Sequence, residues 1–227
     1  MSDAKERLSD VIIVNGPPGS GKGFLSNLYV EENPHTQHIA AGQQVRGIRS
    51  GDIESVYAST VLAHLESKSY LPDETFGDII LEEMTRYPNF IDLTLVDGFP
   101  HNLGDLDYVQ EKLNESGRRI LGAVCLDATV DTCVARMSYR GMREGEYVRK
   151  SAIFAATESE REYYGDRYLY YLDTKDALVG MLMDRGLQIE PVDANPDILG
   201  EEGLRIVVSQ FKHGILSIRA NNMREEQ

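Results

Sequence analysis

The amino-acid sequence predicts an α/β fold in which a parallel sheet carries helices on both of its faces. Short apolar runs typical of buried strands alternate along the chain with segments of helical spacing. A glycine-rich segment, residues 16–23, joins the first of these strands to the first helix. The 227 residues are 41% hydrophobic, which is enough apolar material for one α/β domain with insertions.

The charge balance and the cysteines limit the classes of partner. A net charge of −14 gives an acidic surface that repels polyanions, so we expect no nucleic-acid partner. Cys125 and Cys133 have no metal-binding spacing and are expected to pack in a reducing compartment. Residues 1–10 are charged, and no apolar run reaches membrane-spanning length. The sequence therefore predicts a cytoplasmic protein without a membrane partner.

The strands are predicted from apolar runs, and the helices from apolar spacing and end signals. Pro72 and the acids Asp73 and Glu74 suit a first helical turn, and the Tyr87-Pro88 pair ends that helix. In chain order, strands are expected at 11–14, 37–40, 91–96, 119–126 and 187–192. Helices are expected at 24–30, 42–49, 52–68, 73–86, 103–116, 130–140, 160–185 and 199–211. The polar end, residues 220–227, is expected to fray.

Residues 16–23 have the composition and the context of a phosphate-binding loop. The glycines allow backbone N–H groups to turn inward around anionic oxygens, and the following helix N-terminus adds partial positive charge. Lys22 stands where an ammonium group reaches the outer phosphates, and the spacing fits the Walker A pattern. Gly23 replaces the Ser or Thr whose hydroxyl usually binds Mg²⁺. The alternative interpretation is a Gly/Pro turn that happens to precede a helix.

Asp97 directly follows the strand predicted at 91–96 and is a candidate for holding Mg²⁺ through water. An acid at the carboxyl end of a strand, beside a phosphate-binding loop, is suited to this role. The alternative is that Asp97 and Gly98 only form a turn.

Arg136 and Arg140 lie four residues apart on the helix predicted at 130–140, so they share one face. Two neighbouring like charges cost stability unless an anion neutralises them, which suggests a phosphate clamp. The alternative is an ordinary solvated helix face. The segment 141–159 has little periodicity and carries several charged residues, as expected of a mobile lid between two helices.

Several separated segments together resemble the nucleoside monophosphate kinases of the adenylate kinase type, over nearly the whole chain. The segment 97–100, Asp-Gly-Phe-Pro, matches that family's signature except at the residue that follows it. The other matching segments occur in the family's order and spacing: residues 16–23, Gly42 with Arg46, 71–74, 136–141 and 192–194.

This resemblance implies a P-loop three-layer α/β/α fold with a five-stranded parallel sheet, in a single domain over residues 1–227. The core would comprise residues 10–41, 87–140 and 160–215. Residues 42–86 would form a helical monophosphate-binding insertion, and residues 141–159 a short lid. The implied activity is transfer of the γ-phosphate of ATP to a nucleoside monophosphate, with Mg²⁺ as cofactor, by a monomer.

The resemblance also implies roles for individual residues. Lys22, Asp97 and Arg140 would act in transfer together with a lid arginine, for which the candidates are Arg149, Arg161 and Arg167. The donor nucleotide would be bound by Pro18, Gly19, Ser20, Gly21, Lys22, Gly23, Phe24, Arg136 and Ala194. The acceptor would be bound by Gly42, Arg46, Leu71, Gly98, His101 and Asp105.

Four positions depart from the family's pattern. Phe24 and Ala41 replace residues that usually carry a hydroxyl group. His101 replaces an arginine on the acceptor phosphate, and Asp105 replaces a glutamine that reads the adenine edge. An ionised Asp105 can only accept hydrogen bonds, two from a guanine edge or one from the amino group of adenine or cytosine.

Ala41, His101 and Asp105 all fall in the acceptor half, so the hypothesis is that the acceptor is not ordinary AMP or is used poorly. Losing a charge-assisted contact to phosphate costs about 1.5–3 kcal/mol. Two alternatives remain open. One is a nucleotide-binding regulatory protein on this scaffold, with weak or no transfer. The other is a P-loop kinase for another small molecule.

Overall fold

The computed structural model describes residues 8–67, 71–86, 90–100, 102–140, 158–196 and 200–225. It contains a five-stranded parallel sheet in the order β2-β3-β1-β4-β5, with helices against it, and this confirms the predicted fold class. The strands are β1 (Asp10–Asn15), β2 (Thr36–Ala40), β3 (Leu93–Asp97), β4 (Ile120–Asp127) and β5 (Gln188–Asp193).

Helices connect successive strands, as expected of crossover connections in a parallel sheet, and a last helix follows β5. They are α1 (Lys22–Glu32), α2 (Ala41–Ser50), α3 (Ala58–Glu66), α4 (Asp73–Met84), α5 (Leu103–Glu115), α6 (Val130–Arg140), α7 (Glu158–Asp184) and α8 (Glu201–Glu225). Within the described ranges, no helix has the length and apolar character needed to cross a bilayer.

The central strands explain why the sheet is parallel and buried. Strands β1 and β4 are apolar runs with almost every residue buried, as in sheets that are covered on both faces. Strand β3 pairs in parallel with β1 and with β2, and its last residue, Asp97, is opposite Val14 in one and Ala40 in the other. Asp97 therefore stands at the carboxyl edge of the sheet.

The chain divides into two compact units. The first unit comprises residues 1–14 and 26–122, and the second comprises residues 15–25 and 123–227. The domain boundaries expected from the sequence are a different division, and they stay predictions.

Helices α2 and α3 of the first unit correct one prediction. The sequence predicted one helix over 52–68, whereas α3 begins only at Ala58. Gly51 adopts a left-handed φ of 81° after α2, and the N–H groups of Asp52 and Ile53 both donate to the carbonyl of Gly47. Asp52 and Ile53 are thus used in ending α2, although the apolar spacing of this segment is helical.

Helices α4 and α5 approach each other closely in the first unit. A Cβ at Gly77 would lie 2.6 Å from Cδ1 of Tyr108, so only glycine fits against that ring. At the next residue, Asp78 accepts hydrogen bonds from the hydroxyls of Tyr57 (2.8 Å) and Tyr108 (2.7 Å). The carboxylate of Asp78 therefore links α4 to α5 and to the residue before α3.

Residues 220–227 were expected to fray, and helix α8 of the second unit corrects this expectation as far as residue 225. It was expected to end near residue 211 but continues to Glu225. Its buried face continues past Phe211 with Ile215 and Ile218, which are fully buried. Beyond them, Asn221 donates from Nδ2 to Oε1 of Gln188 on β5, at 2.9 Å. A polar sequence is therefore held in the helix by contacts with the sheet.

Candidate functional site

The glycine-rich loop has the backbone geometry expected of an anion-binding turn. It begins after β1 and ends where α1 starts at Lys22. Gly16, Gly19 and Gly21 have φ angles of 151°, 87° and 101°, which residues with a side chain rarely adopt. The first N–H groups of a helix have no intrahelical partner, so the start of α1 offers donors to an anion.

The loop is also held closely by its neighbours in the second unit. A Cβ at Gly16 would lie 2.8 Å from the carbonyl oxygen of Leu126 on β4. A Cβ at Gly19 would lie 2.5 Å from the carbonyl oxygen of Cys133 on α6. Because both contacts are with backbone, no side chain fits at either position, and the path of the loop is fixed.

Lys22 and Ser20 supply the polar groups of this loop. The ammonium group of Lys22 donates to the carbonyls of Gly16 (2.7 Å) and Pro17 (3.0 Å), so the charge lies over the loop. The Ser20 side chain is buried, and its Oγ has no hydrogen-bond partner within the described part of the chain. A buried orphan hydroxyl in the same loop as an ammonium group fits the binding of an anion.

Phe24 lies in the first turn of α1 and is 42% exposed. Together with Gly23 it leaves this turn without the hydroxyl that phosphate-binding loops usually direct to Mg²⁺. The residues of the loop therefore fit a phosphate chain through backbone and ammonium donors, with no side-chain oxygen for a metal at these two positions.

Arg136 contacts backbone carbonyls from two different segments. Its Nη1 donates to the carbonyl of Ser20 at 3.1 Å, and its Nη2 donates to the carbonyls of Ala194 (2.7 Å) and Pro196 (3.0 Å). The sequence predicted a role beside the donor base, which stays a prediction. In this structure the guanidinium joins the glycine loop to the segment after β5.

Ala194, predicted to contact the donor base, is fully buried. Its N–H donates to the carbonyl of Asp127 at 2.7 Å, and its carbonyl accepts from Arg136. Both backbone polar groups of this residue thus have partners within the second unit.

The thiol of Cys133 lies near the same charges. Burial raises its pKa to about 11, although Arg136 and Lys22 oppose this shift electrostatically. The thiol therefore stays protonated at neutral pH and acts as a small apolar side chain.

Asp97 in the first unit has a partner that the sequence analysis missed. Oδ2 of Asp97 lies 2.8 Å from Nε2 of His38, and Nδ1 of His38 lies 2.8 Å from Oδ1 of Asn27. The side chains of His38 and Asp97 are only 9% and 15% exposed. The signal available in the sequence was that His38 is a polar residue within the short strand predicted at 37–40.

Gly42, the first residue of the predicted monophosphate-binding insertion, lies near Gly98, which follows Asp97. Gly98 has a φ of 73°, and a Cβ there would lie 3.7 Å from the backbone nitrogen of Gly42. Arg46 folds back over Gly42, where a Cβ would lie 3.2 Å from its Nη1. The structure therefore brings Gly42, Arg46 and Gly98 together, next to the fully buried Ala41.

Asp105 takes part in capping the start of its own helix. Its Oδ1 accepts from the backbone N–H of Asn102 at 3.1 Å, while Oδ1 of Asn102 accepts from the backbone N–H groups of Gly104 (2.6 Å) and Asp105 (3.1 Å). This is a reciprocal capping box at the start of α5. Asp105 is 1% exposed, so its assignment as an acceptor contact stays a prediction that this geometry does not favour.

The remaining predicted residues lie in other places. Leu71 packs against the apolar cluster of Ile48, Val61 and Ile79 in the first unit. His101 and Arg149, and residues 141–157 of the expected lid, lie outside the described residues. The side chains of Arg140, Arg161 and Arg167 also lie outside the described part of the chain. In the rest, no group of three or more His, Cys, Asp or Glu side chains is arranged to hold a metal ion.

A five-stranded parallel sheet with this loop between its first strand and first helix has the P-loop α/β kinase fold. No protein-family model matches the chain. It is, however, similar to curated adenylate kinases, and the resemblance inferred from the sequence is confirmed. The chain is therefore similar to the adenylate kinases at low sequence identity.

Three of these relatives illustrate the distance. Adenylate kinase 1 of Nostoc sp. is 27% identical over 160 residues, which are 69% of this chain and 85% of the relative. The adenylate kinase of Leifsonia xyli is 25% identical over 217 residues, 91% of this chain and 96% of the relative. That of Thermus thermophilus is 26% identical over 184 residues, 79% of this chain and 87% of the relative.

Proposed function

We propose that the protein is a nucleoside monophosphate kinase that transfers the γ-phosphate of ATP to a nucleoside monophosphate. The observation that carries this proposal is the glycine loop, where three glycines of positive φ, the start of α1 and the Lys22 ammonium meet in one turn. The names of the relatives support the reaction class.

On the donor side, Lys22 and the backbone N–H groups of Gly19 and of residues 21–24 would hold the phosphates of ATP. Phosphoryl transfer needs little covalent chemistry from a protein, so positioning and charge neutralisation are the work of the site. Mg²⁺, when bound, neutralises phosphate charge, and Asp97 would hold it through water. Arg140, with Arg149 or Arg161, would cover the transferred group and keep water away from it.

On the acceptor side, Arg46 would bind the acceptor phosphate, with the backbone of Gly42 and Gly98 beside it. Leu71, His101 and Asp105 are the further proposed contacts. Because the carboxylate of Asp105 is buried in a capping box, there is little support for a contact between this carboxylate and the base of the acceptor. The proposal therefore leaves the base of the acceptor open and retains the hypothesis that AMP is not used in the ordinary way.

A regulatory nucleotide-binding protein is the second candidate. It is favoured by the loss of the hydroxyl groups at Phe24 and Ala41, since binding through backbone donors does not require them. Under this alternative the glycine loop binds ATP with little or no transfer.

A coupled assay with ATP, Mg²⁺ and each common nucleoside monophosphate separates the two candidates. We expect transfer to at least one monophosphate. In Arg46→Ala, we expect the KM for the acceptor to rise about ten- to a hundredfold while the KM for ATP stays unchanged. Arg49→Ala, on the same helix and exposed, is the matched control. ATP binding without transfer to any monophosphate would favour the regulatory protein.

The proposed location is the cytoplasm, because Cys125 and Cys133 are free, buried thiols of the kind that persist in a reducing compartment. The proposed state is a monomer, as the resemblance implies, and sedimentation of the purified protein tests it.

A further inference from the structure

The peptide between Ser20 and Gly21 precedes a glycine of positive φ in the glycine loop. Gly21 has a φ of 101°, and glycine tolerates both signs of φ, so a flip of this peptide has little steric cost. The group is a planar trans peptide, so its C=O and N–H point in opposite directions. A flip would replace an N–H donor with a carbonyl oxygen, which repels a phosphate.

Arg136 holds one end of this peptide. Its Nη1 donates to the carbonyl of Ser20 at 3.1 Å, which directs that oxygen toward α6. The N–H of Gly21 must therefore point away from the guanidinium. The adjacent turn is fixed as well, because the N–H of Ser20 donates to the carbonyl of Pro17 at 3.1 Å.

The guanidinium is itself anchored on its other side. Its Nη2 donates to the carbonyls of Ala194 (2.7 Å) and Pro196 (3.0 Å) in the segment after β5. That segment is tied to β4 by the bond from the N–H of Ala194 to the carbonyl of Asp127 at 2.7 Å. The planar fork presents two separate nitrogen ends in a fixed geometry, one for each segment, whereas an ammonium group offers a single point charge.

The same face of α6 seats the loop. Cys133 lies one turn before both Arg136 and Met137 on this helix and is therefore a neighbour of each. A Cβ at Gly19 would lie 2.5 Å from the carbonyl oxygen of Cys133 and 3.0 Å from Cγ of Met137, so the loop is in van der Waals contact with α6. A small displacement of Arg136 would therefore also shift the Ser20–Gly21 peptide, whose carbonyl accepts its hydrogen bond.

We propose that Arg136 is a positioning residue that fixes the Ser20–Gly21 peptide with the Gly21 N–H directed at a bound phosphate. This inference rests on the proposed function, since it concerns the donor phosphates, but it differs from a contact between Arg136 and the donor base. The two roles predict different ligand dependence. A base contact affects only nucleotides, whereas a positioned loop affects any ligand with the same phosphate chain.

The test is calorimetric titration, in the presence of Mg²⁺, with ATP and with inorganic tripolyphosphate, which has no base. In Arg136→Ala we expect both affinities to fall by the same factor, about ten- to a hundredfold. Arg136→Lys keeps the charge but not the fork, so we expect an intermediate loss for both ligands. Arg205→Ala, an exposed arginine of α8 paired with Glu201, is the control and should bind both ligands like the wild type.

The possible results distinguish the explanations. A loss of ATP affinity with unchanged tripolyphosphate affinity would mean that Arg136 contacts the nucleoside, and would overturn the inference. Unchanged affinities, or wild-type binding by Arg136→Lys, would overturn it as well, the latter in favour of simple charge attraction. If Arg136→Ala does not fold, Arg136→Lys and Arg136→Gln provide the same comparison. A wild-type protein that binds neither ligand would refute the proposed function itself.

Discussion

The glycine loop of the second unit and the predicted site residues Asp97 and Asp105 of the first unit differ in which groups make their polar contacts. In the loop, the backbone provides the donors, and the side chains of Lys22 and Arg136 bond to backbone carbonyls. In the first unit, the polar side chains at and near Asp97 and Asp105 are held by protein partners: Asp97 by His38, Asp105 by the start of α5, and Asn102 by Asp73 at 2.7 Å.

The difference teaches which kind of site a sequence motif specifies. Glycine spacing dictates the backbone conformation, because only glycine fits at φ angles of 87° and 101° and against the carbonyl of Cys133. A carboxylate at a position that matches a family motif does not determine its own partner, because any nearby N–H, hydroxyl or imidazole competes for it. Substitutions in the loop should therefore affect binding and transfer, whereas substitutions of the protein groups that hold Asp97 and Asp105 should affect mainly stability.

The largest expected effect is on the loop side. We expect Lys22→Ala to lower the rate of phosphoryl transfer by about a thousandfold, because the ammonium group neutralises charge that develops on the phosphates. The thermal midpoint should change little, since the bonds from Lys22 to Gly16 and Pro17 stay within the loop. Lys112→Ala, which removes a surface pair with Glu115, is the control for the transfer rate. Undiminished turnover in Lys22→Ala would contradict the expectation that the glycine loop is the part most sensitive in transfer.

In the first unit, we expect His38→Ala to lower the free energy of unfolding by about 2 kcal/mol. The change removes a side chain that joins Asp97 to Asn27 and leaves a largely buried carboxylate without this partner. Urea denaturation measures the loss. His213→Ala, exposed on α8, should stay within about 0.5 kcal/mol of the wild type. Equal, small losses in both variants would contradict the structural role of His38.

Substitutions of Asp105 test whether this residue stabilises the start of α5 or contacts the base of the acceptor. We expect Asp105→Ala to lower the free energy of unfolding by about 1–2 kcal/mol, because it removes half of the capping box. Asp105→Asn keeps an oxygen that can accept from the N–H of Asn102 and should lose less. If the proposed kinase activity is present, the ranking of monophosphate acceptors should be the same in Asp105→Asn as in the wild type. A changed ranking would show that this side chain reads the base.

The smallest effect concerns Tyr57. Tyr57→Phe removes a hydrogen bond to Asp78 and should lower the free energy of unfolding by about 1 kcal/mol at neutral pH. Burial, together with the bond to Asp78, raises the pKa of Tyr57 from 10.0 to about 12. The protonated hydroxyl therefore stabilises the fold fully below pH 10, and this contribution is lost as the pH rises to about 12.

The pH dependence provides the check on Tyr57. The free energy of unfolding of the wild type should fall between pH 10 and about 12, and in Tyr57→Phe this fall should be shallower. Tyr170→Phe, on the exposed side of α7, should keep the wild-type profile. Identical profiles for all three proteins would mean that the hydroxyl of Tyr57 is not held by Asp78 in solution.

The fold was largely predictable because its signals are local and repeated. Most element ends fall close to the prediction, since apolar strands such as β1 and β4 carry a clear pattern. The two errors have physical causes. The left-handed Gly51 ended α2, with Asp52 and Ile53 bonded back to Gly47, and contacts between α8 and β5 kept a polar C-terminal segment helical.

The candidate site was predictable only in part. Glycine spacing indicated the loop, but nothing in the local sequence indicates that Arg136 bonds to Ser20, which is 116 positions away, or that His38 bonds to Asp97, 59 positions away. Such partners are set by the tertiary fold. The capping box of Asn102 and Asp105 is local and has a sequence signature, but the family resemblance gave Asp105 a different role. The expected lid lies mostly outside the described residues, so its arginines stay predictions.

The close approach of α4 and α5 at Gly77 has a consequence for how this protein can diverge. The ring of Tyr108 occupies the space of a methyl group at position 77, and its hydroxyl satisfies Asp78. A larger residue at 77 would displace the ring and leave that carboxylate short of a donor. Homologues that lose the glycine should therefore also carry a smaller residue at 108 and an uncharged one at 78, so that these three positions change as a set.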